Sequence, residues 1–214
     1  MADVIQETAE TVEGRVVRYA ERPITFETFL DLTGEDDAIE LVNGVMVEQM
    51  SAQFEHETLH AWLFWILYGY VVKKGLGIVR GSRTAVEISK YGGRLPDLLF
   101  VRKENEGIIQ PKAIYGAPDL IIEIVSPNDR PSDIIALETD YRSIGVPEIW
   151  FLDVPKKRVR TLRKQAADYQ EEVLTAGTLR SETVPGFELQ TEWLFQEARP
   201  DEFTTLMALL PSQP

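Results

Sequence analysis

Cysteine is absent from this 214-residue chain. No disulfide framework and no thiolate metal site can form, and the composition suits a reducing, cytoplasmic setting. Histidine is scarce, with only His56 and His60. No apolar run reaches the roughly 20 residues that a bilayer crossing needs. The most apolar stretch, Leu59 to Val72, is closed by Lys73 and Lys74. The opening MADVIQETAETVEG has neither a basic start nor an apolar centre and does not read as a secretory signal. Positive charge is also short: 22 Lys and Arg stand against 35 Asp and Glu, a formal charge of −13. That balance excludes a passive nucleic-acid coat, whose affinity comes from phosphate neutralisation. Local basic strips remain, from Lys73 to Arg83 and from Lys156 to Lys164 (KKRVRTLRK). In the second, Val159 and Thr161 would share one strand face, with Arg158, Arg160 and Leu162 on the other. Its plain reading is a solvated antiparallel strand. Phosphate-binding loops are missing as well, since Gly75–Leu76–Gly77 and Gly92–Gly93 lack the Lys-Ser/Thr ending. No nucleophile-elbow pattern appears.

What the chain does have is two apolar runs, each carrying an acid. The first is RLPDLLFV, Arg94 to Val101; the second is GAPDLIIEIVSP, Gly116 to Pro127. Short unbroken apolar runs fit strands covered on both faces. A carboxylate inside such a run must be paired, metal-bound or protonated, because burying it alone is costly. Glu123 is that carboxylate, and Asp97 heads the neighbouring candidate strand. Two carboxylates at one sheet end would suit a hard divalent cation. A salt bridge from Glu123 to Arg94 or Arg142 is the alternative.

Around these runs the pattern alternates between helix and strand. A short helix is expected within Pro23–Thr33, capped by Thr25, and a hairpin over Ala38–Gln49 turning at Asn43–Gly44. A long helix is expected from Glu55 to Lys73, so broadly apolar that a homodimer contact is expected along with core packing. Gly75 to Ser89 reads as a strand pair or one bent strand, Tyr91 to Gly93 as a turn, and Arg102 to Gly116 as a polar loop. A helix capped by Ser132 and ended by Gly145 would link the Glu123 strand to Glu148–Val154, a likeness to a right-handed parallel crossover. Short antiparallel strands follow to Leu189, then a helix over Thr191–Leu210. The expected fold is α/β: a mixed central sheet flanked by helices, with an antiparallel extension. It divides into an N-terminal arm (1–23), a main domain (24–195), and a C-terminal helix and tail (196–214).

His56–Glu57–Thr58–Leu59–His60 matches H-E-x-x-H, a zinc-protease pattern that sets two imidazoles on one helix face. No third ligand motif follows it.

The order of several motifs resembles the Uma-type putative restriction endonuclease family of the PD-(D/E)XK nuclease superfamily. They are ELVNG (Glu40 to Gly44), His56 at a helix start, R-x-PD (Arg94, Pro96, Asp97), PDLIIEIVSP (Pro118 to Pro127), the run Asp133, Tyr141, GVPEIW (Gly145 to Trp150), and VPGFEL (Val184 to Leu189). The resemblance covers roughly residues 24–195. It implies a restriction-endonuclease-like fold and a Mg²⁺- or Mn²⁺-dependent endonuclease acting on DNA. It also implies Asp97 and Glu123 as metal ligands, with the Ile124 carbonyl as an added one and Glu40 as a further acid. His56, Asp133 and Tyr141 would be supporting residues. The family's lysine, four residues after the Asp and four before the Tyr, falls on Leu137 here. That departure leaves open a nuclease fold that binds or assembles without turnover.

Overall fold

The two acid-bearing apolar runs form adjacent strands. In this computed structural model, residues 8–12, 15–34, 37–49, 53–81 and 83–210 are described. The start of the expected arm (1–7) and the Pro-Ser-Gln-Pro tail (211–214) lie outside them.

The chain runs through β1 (Thr8–Val12), β2 (Arg15–Tyr19), α1 (Phe26–Leu32), β3 (Ile39–Val42), β4 (Val45–Glu48), α2 (Phe54–Lys74) and β5 (Gly77–Gly81). It continues through β6 (Val86–Ser89), β7 (Gly92–Arg94), β8 (Leu98–Arg102), β9 (Leu120–Val125), α3 (Pro131–Ile144) and β10 (Glu148–Asp153). β11 (Arg158–Gln165), β12 (Asp168–Leu174), β13 (Thr178–Arg180), β14 (Glu188–Gln190) and α4 (Glu202–Leu209) complete it.

The central sheet has the order β12-β11-β10-β9-β8-β5. Only β9 and β10 pair in parallel, joined by the α3 crossover; the other neighbours are antiparallel. The fold is therefore α/β with a mixed central sheet, as the sequence pattern implied. Period-two alternation sorts its side chains onto two faces. Leu98, Phe100, Ile122, Ile124, Trp150 and Leu152 pack with α2. Leu99, Val101, Ile121, Ile149 and Phe151 pack with Tyr141 of α3. Glu123 follows Ile121 by two residues and so faces α3. Burying both faces explains why these strands read as continuous apolar runs.

A second, antiparallel sheet has the order β1-β2-β4-β3-β7-β6. It packs α1 through Phe26, Phe29, Leu41 and Met46. Thr25 caps α1 by accepting from the Thr28 amide, as expected. Asn43–Gly44 makes the β3–β4 turn with both residues at positive φ.

Several local expectations are corrected. Within the expected arm, residues 8–12 and 15–19 are strands, and β2 pairs with β4. Gly75–Ser89 is neither a strand pair nor one strand. β5 joins the central sheet and β6 the second, because the polar stretch between them lets the chain change layers. Of the expected Tyr91–Gly93 turn, Tyr91 is a turn residue but Gly92 and Gly93 belong to strand β7. There the Phe26 ring lies 2.5 Å from where a Gly93 Cβ would stand, so only glycine lets the ring approach. Within the expected loop, Lys103–Ile108 is a 3-10 helix. α3 starts at Pro131, with Arg130 rather than Ser132 at the cap position; the fixed φ of proline suits the first turn. The expected C-terminal helix is broken. Thr191–Phe195 is a 3-10 turn, and α4 begins only after Pro200, which disfavours helical backbone at Arg199.

Candidate functional site

The sequence brings Asp97 and Glu123 together by strand register. β8 and β9 pair Leu98 with Ile122 and Leu99 with Ile121. Continuing that antiparallel register by one residue sets Asp97 opposite Glu123, on the same face. β8 ends there, and the Asp97 side chain takes over from its backbone: the Ile124 amide donates to Asp97 Oδ2 at 2.7 Å. In extended backbone the N–H and C=O of one residue point to the same side, so the Ile124 carbonyl is turned toward the same corner.

Glu123 is buried, with 8% of its surface exposed. The Tyr141 hydroxyl donates to its Oε1 in a short hydrogen bond. The Asp97 backbone amide acts as a second, weaker donor to the carboxylate. Burial raises the Glu123 pKa well above the ordinary glutamate value. The negative charges of Asp97 and Glu40 push it further, and the hydrogen bonds from Tyr141 and the Asp97 amide oppose them only partly. The Tyr141 hydroxyl is itself pushed well up, by burial and then by the Glu123 charge. The arginines considered as salt-bridge partners for Glu123 are engaged elsewhere. Arg94 bonds Asp140 at 2.7 Å and Glu40 at 2.8 Å. Arg142 pairs with Glu138 at 3.0 Å and with Asp168.

Glu40 arrives from β3. Its Oε2 accepts from Arg94 and its Oε1 from the Leu95 amide at 3.2 Å. It thereby fixes the chain leading into Pro96–Asp97. Burial alone would lower the Arg94 pKa, but Glu40 and Asp140 outweigh it and hold the guanidinium charged. Both histidines turn to Asp97. His56 Nε2 lies 3.2 Å from Asp97 Oδ2, and His60 Nε2 lies 2.9 Å from the Asp97 carbonyl oxygen. Burial would depress the His56 pKa, but the Asp97 hydrogen bond and charge, with Glu57 Oε1 at 3.4 Å, raise it overall. The H-E-x-x-H spacing thus sets two imidazoles on one face, but both are used to hold Asp97.

These groups open onto a cleft of about 720 Å³ between the two sheets and α3. Its lining includes Glu40, His56, Asp97, Glu123, Asp133 and Leu137. Leu137 is half-buried and packs on the α3 side of the core. Asp133 Oδ2 is held by Arg15 at 2.8 Å and by Arg130 at 3.1 Å. Asp129 also lines the cleft; burial and the Asp97 charge raise its pKa, against the Ser126 amide it accepts from. Among the described residues, no three His, Asp or Glu side chains gather at metal-ligating range. The donor set is two carboxylates and a main-chain carbonyl, all hard oxygens. A small divalent cation that keeps several waters fits such a set, and its charge would offset both the desolvation of Glu123 and its repulsion by Asp97 and Glu40.

Arg15, Arg94 and Asp140 were not singled out as site residues from the sequence. Arg94 could have been, as the first residue of R-x-PD. Arg15 and Asp140 lie 118 and 46 residues from their partners, a separation that carries no local signal. The Lys156–Lys164 strip is antiparallel, as in the plain reading, but β11 is an inner strand with Val159, Thr161 and Leu162 buried rather than a solvated one, and its arginines are paired. Arg158 pairs with Asp153, Arg160 with Glu138 and Glu171, and Arg163 with Glu172.

A family model described as "Uma2: Putative restriction endonuclease" matches residues 26–192. No curated protein matches. Among solved structures, "a putative nuclease belonging to DUF820 from Anabaena variabilis ATCC 29413" superposes with a TM-score of 0.69 at 19% identity. The match covers 81% of this chain and 98% of that one. At that identity the likeness speaks for the fold.

Proposed function

The chain belongs to the Uma2 family of putative restriction endonucleases, and from that premise we propose that the cleft hydrolyses DNA phosphodiester bonds with a bound Mg²⁺ or Mn²⁺. The observation that carries this reading is the pairing of Asp97 with Glu123 across the β8–β9 register, with Glu123 buried beside two other acids. Asp97, Glu123 and the Ile124 carbonyl would hold the ion, which when bound polarises a phosphoryl oxygen and lowers the pKa of a water. The remaining residues hold these donors in place. His56 and the Ile124 amide fix Asp97 Oδ2. Tyr141 fixes Glu123 Oε1, and Glu123 lines the cleft. Glu40 and Arg94 brace the turn into β8, and Arg15 and Arg130 orient Asp133. Residues 24–195 are the proposed working unit.

Leu137 favours a second reading, in which the fold binds DNA or a partner without turnover. The apolar side chain sits in the cleft wall where the family pattern has an amine. Two measurements separate the readings. Calorimetric titration with Mn²⁺ should show one site per chain that Glu123→Gln abolishes. Nicking of supercoiled plasmid should then require the ion. Ion binding without nicking selects the second reading, and Leu137→Lys should restore some cleavage. No ion binding at all overturns the hydrolase reading.

A further inference from the structure

α2 is apolar on its outward side as well as its inward one. Between Glu57 and Lys73 it carries no Asp, Glu, Lys or Arg, although the whole chain is strongly acidic. Its inward face, including Leu59, Leu63, Ile66, Leu67 and Tyr70, fills the central core. Its outward face exposes Phe54, Trp65, Tyr68 and Val72, at 88%, 43%, 43% and 56%. With Thr58 and Ala61, also exposed, these positions alternate at spacings of four and three over 54, 58, 61, 65, 68 and 72. That is the a/d seam of a coiled coil, which a solvated helix face has no reason to keep. α4 widens the surface. It lies against α2, with Leu206 2.6 Å from where a Gly69 Cβ would stand, and it exposes Phe203 and Met207.

The charges at the two ends of the helix say what covers the seam. The first turn is acidic, with Glu55 and Glu57, and the last is basic, with Lys73 and Lys74. We propose that α2 pairs with α2 of a second copy of this chain, antiparallel about a two-fold axis. Antiparallel pairing is self-complementary: each acidic end meets the partner's basic end, and the helix dipoles oppose. A parallel pair would set like charges together. Antiparallel a-to-d layering then stacks Trp65 on Ala61, Tyr68 on Thr58 and Val72 on Phe54, a large residue on a smaller one in the first two layers. The contact spans a 21-residue helix, about 31 Å long. The proposal does not rest on the nuclease reading, because none of the six seam residues lines the cleft.

Sedimentation of the full chain across concentration should show a dimer. Trp65→Glu should weaken it roughly 30-fold or more, the scale of losing a central aromatic anchor, while melting with the same cooperativity. The absence of native cysteine makes orientation directly readable. Thr58→Cys mixed with Tyr68→Cys should form an oxidised heterodimer, and neither variant should cross-link well alone. A monomer at high micromolar concentration, a dimer indifferent to Trp65→Glu, or self-cross-linking of Thr58→Cys alone overturns the proposal.

Discussion

Glu123 and Glu148 are both buried acids on neighbouring parallel strands, and the fold surrounds them in opposite ways. Glu148, at the start of β10, is fully buried. Its Oε1 accepts from the Trp150 indole at 2.9 Å. Its Oε2 accepts from Ser181 Oγ, the Glu182 and Thr183 amides and Thr183 Oγ1, at 2.7 to 3.0 Å. Arg163 stands 3.5 Å away. Glu123 has, among the described residues, the Tyr141 hydroxyl and, more weakly, the Asp97 amide as donors, against the charges of Asp97 and Glu40. The first carboxylate is a solved packing problem, a charge whose donors replace its water. The second is left under-compensated at a cleft wall, as sites that bind or react commonly are.

The same conservative substitution should therefore have opposite signs at the two positions. Glu148→Gln turns an amide donor toward either the Trp150 indole or the 181–183 loop, and should cost about 3 kcal/mol, read by urea or thermal unfolding. A neutral result would mean that the loop donors contribute little. Glu123→Gln should do the reverse in metal-free protein, raising stability near pH 8 by about 1 kcal/mol because it removes an ill-compensated charge. Mn²⁺ should raise the melting temperature of the parent chain and leave that of Glu123→Gln unmoved.

The pH dependence sharpens the contrast. The folded state holds the Glu123 proton more tightly than the unfolded state does. Its stabilising contribution is therefore complete below the unfolded-state glutamate pKa and is lost as pH rises through the raised folded value. The difference in melting temperature between parent and Glu123→Gln should widen steadily from pH 4 upward. A flat difference would show that Glu123 is better compensated than its neighbours indicate. The smallest effect belongs to β11. Arg160→Gln, at a half-buried site with two acidic partners, should cost under about 1 kcal/mol and leave DNA affinity unchanged. A large loss of DNA binding there would return the basic strip to the candidate interface.

Much of this was legible along the chain. The β8, β9 and β10 strands were readable because burial on both faces leaves an unbroken apolar run. The Asn43–Gly44 hairpin and the Thr25 cap were readable because turn and cap chemistry is local. The acid in β9 stood out because little else belongs in such a run. The layer change between β5 and β6 was not readable, since nothing in a strand's own residues says which sheet it joins. The break at Pro200 was readable in principle, but the apolar pattern on either side of it hid it.

The sequence by itself determined most of the element types, the odd placement of Glu123 within an apolar run, and the missing amine at Leu137. Those are properties of residue type and spacing, which short-range sterics and burial translate directly. Tertiary structure alone decided which buried acid was saturated and which was left facing a cleft. The donors for Glu148 come from a loop about 35 residues downstream, and the pairing of Asp97 with Glu123 comes from strand register. Hydrogen bonds and charge act through space, so two glutamates in similar apolar runs become different chemical groups only once the chain has folded.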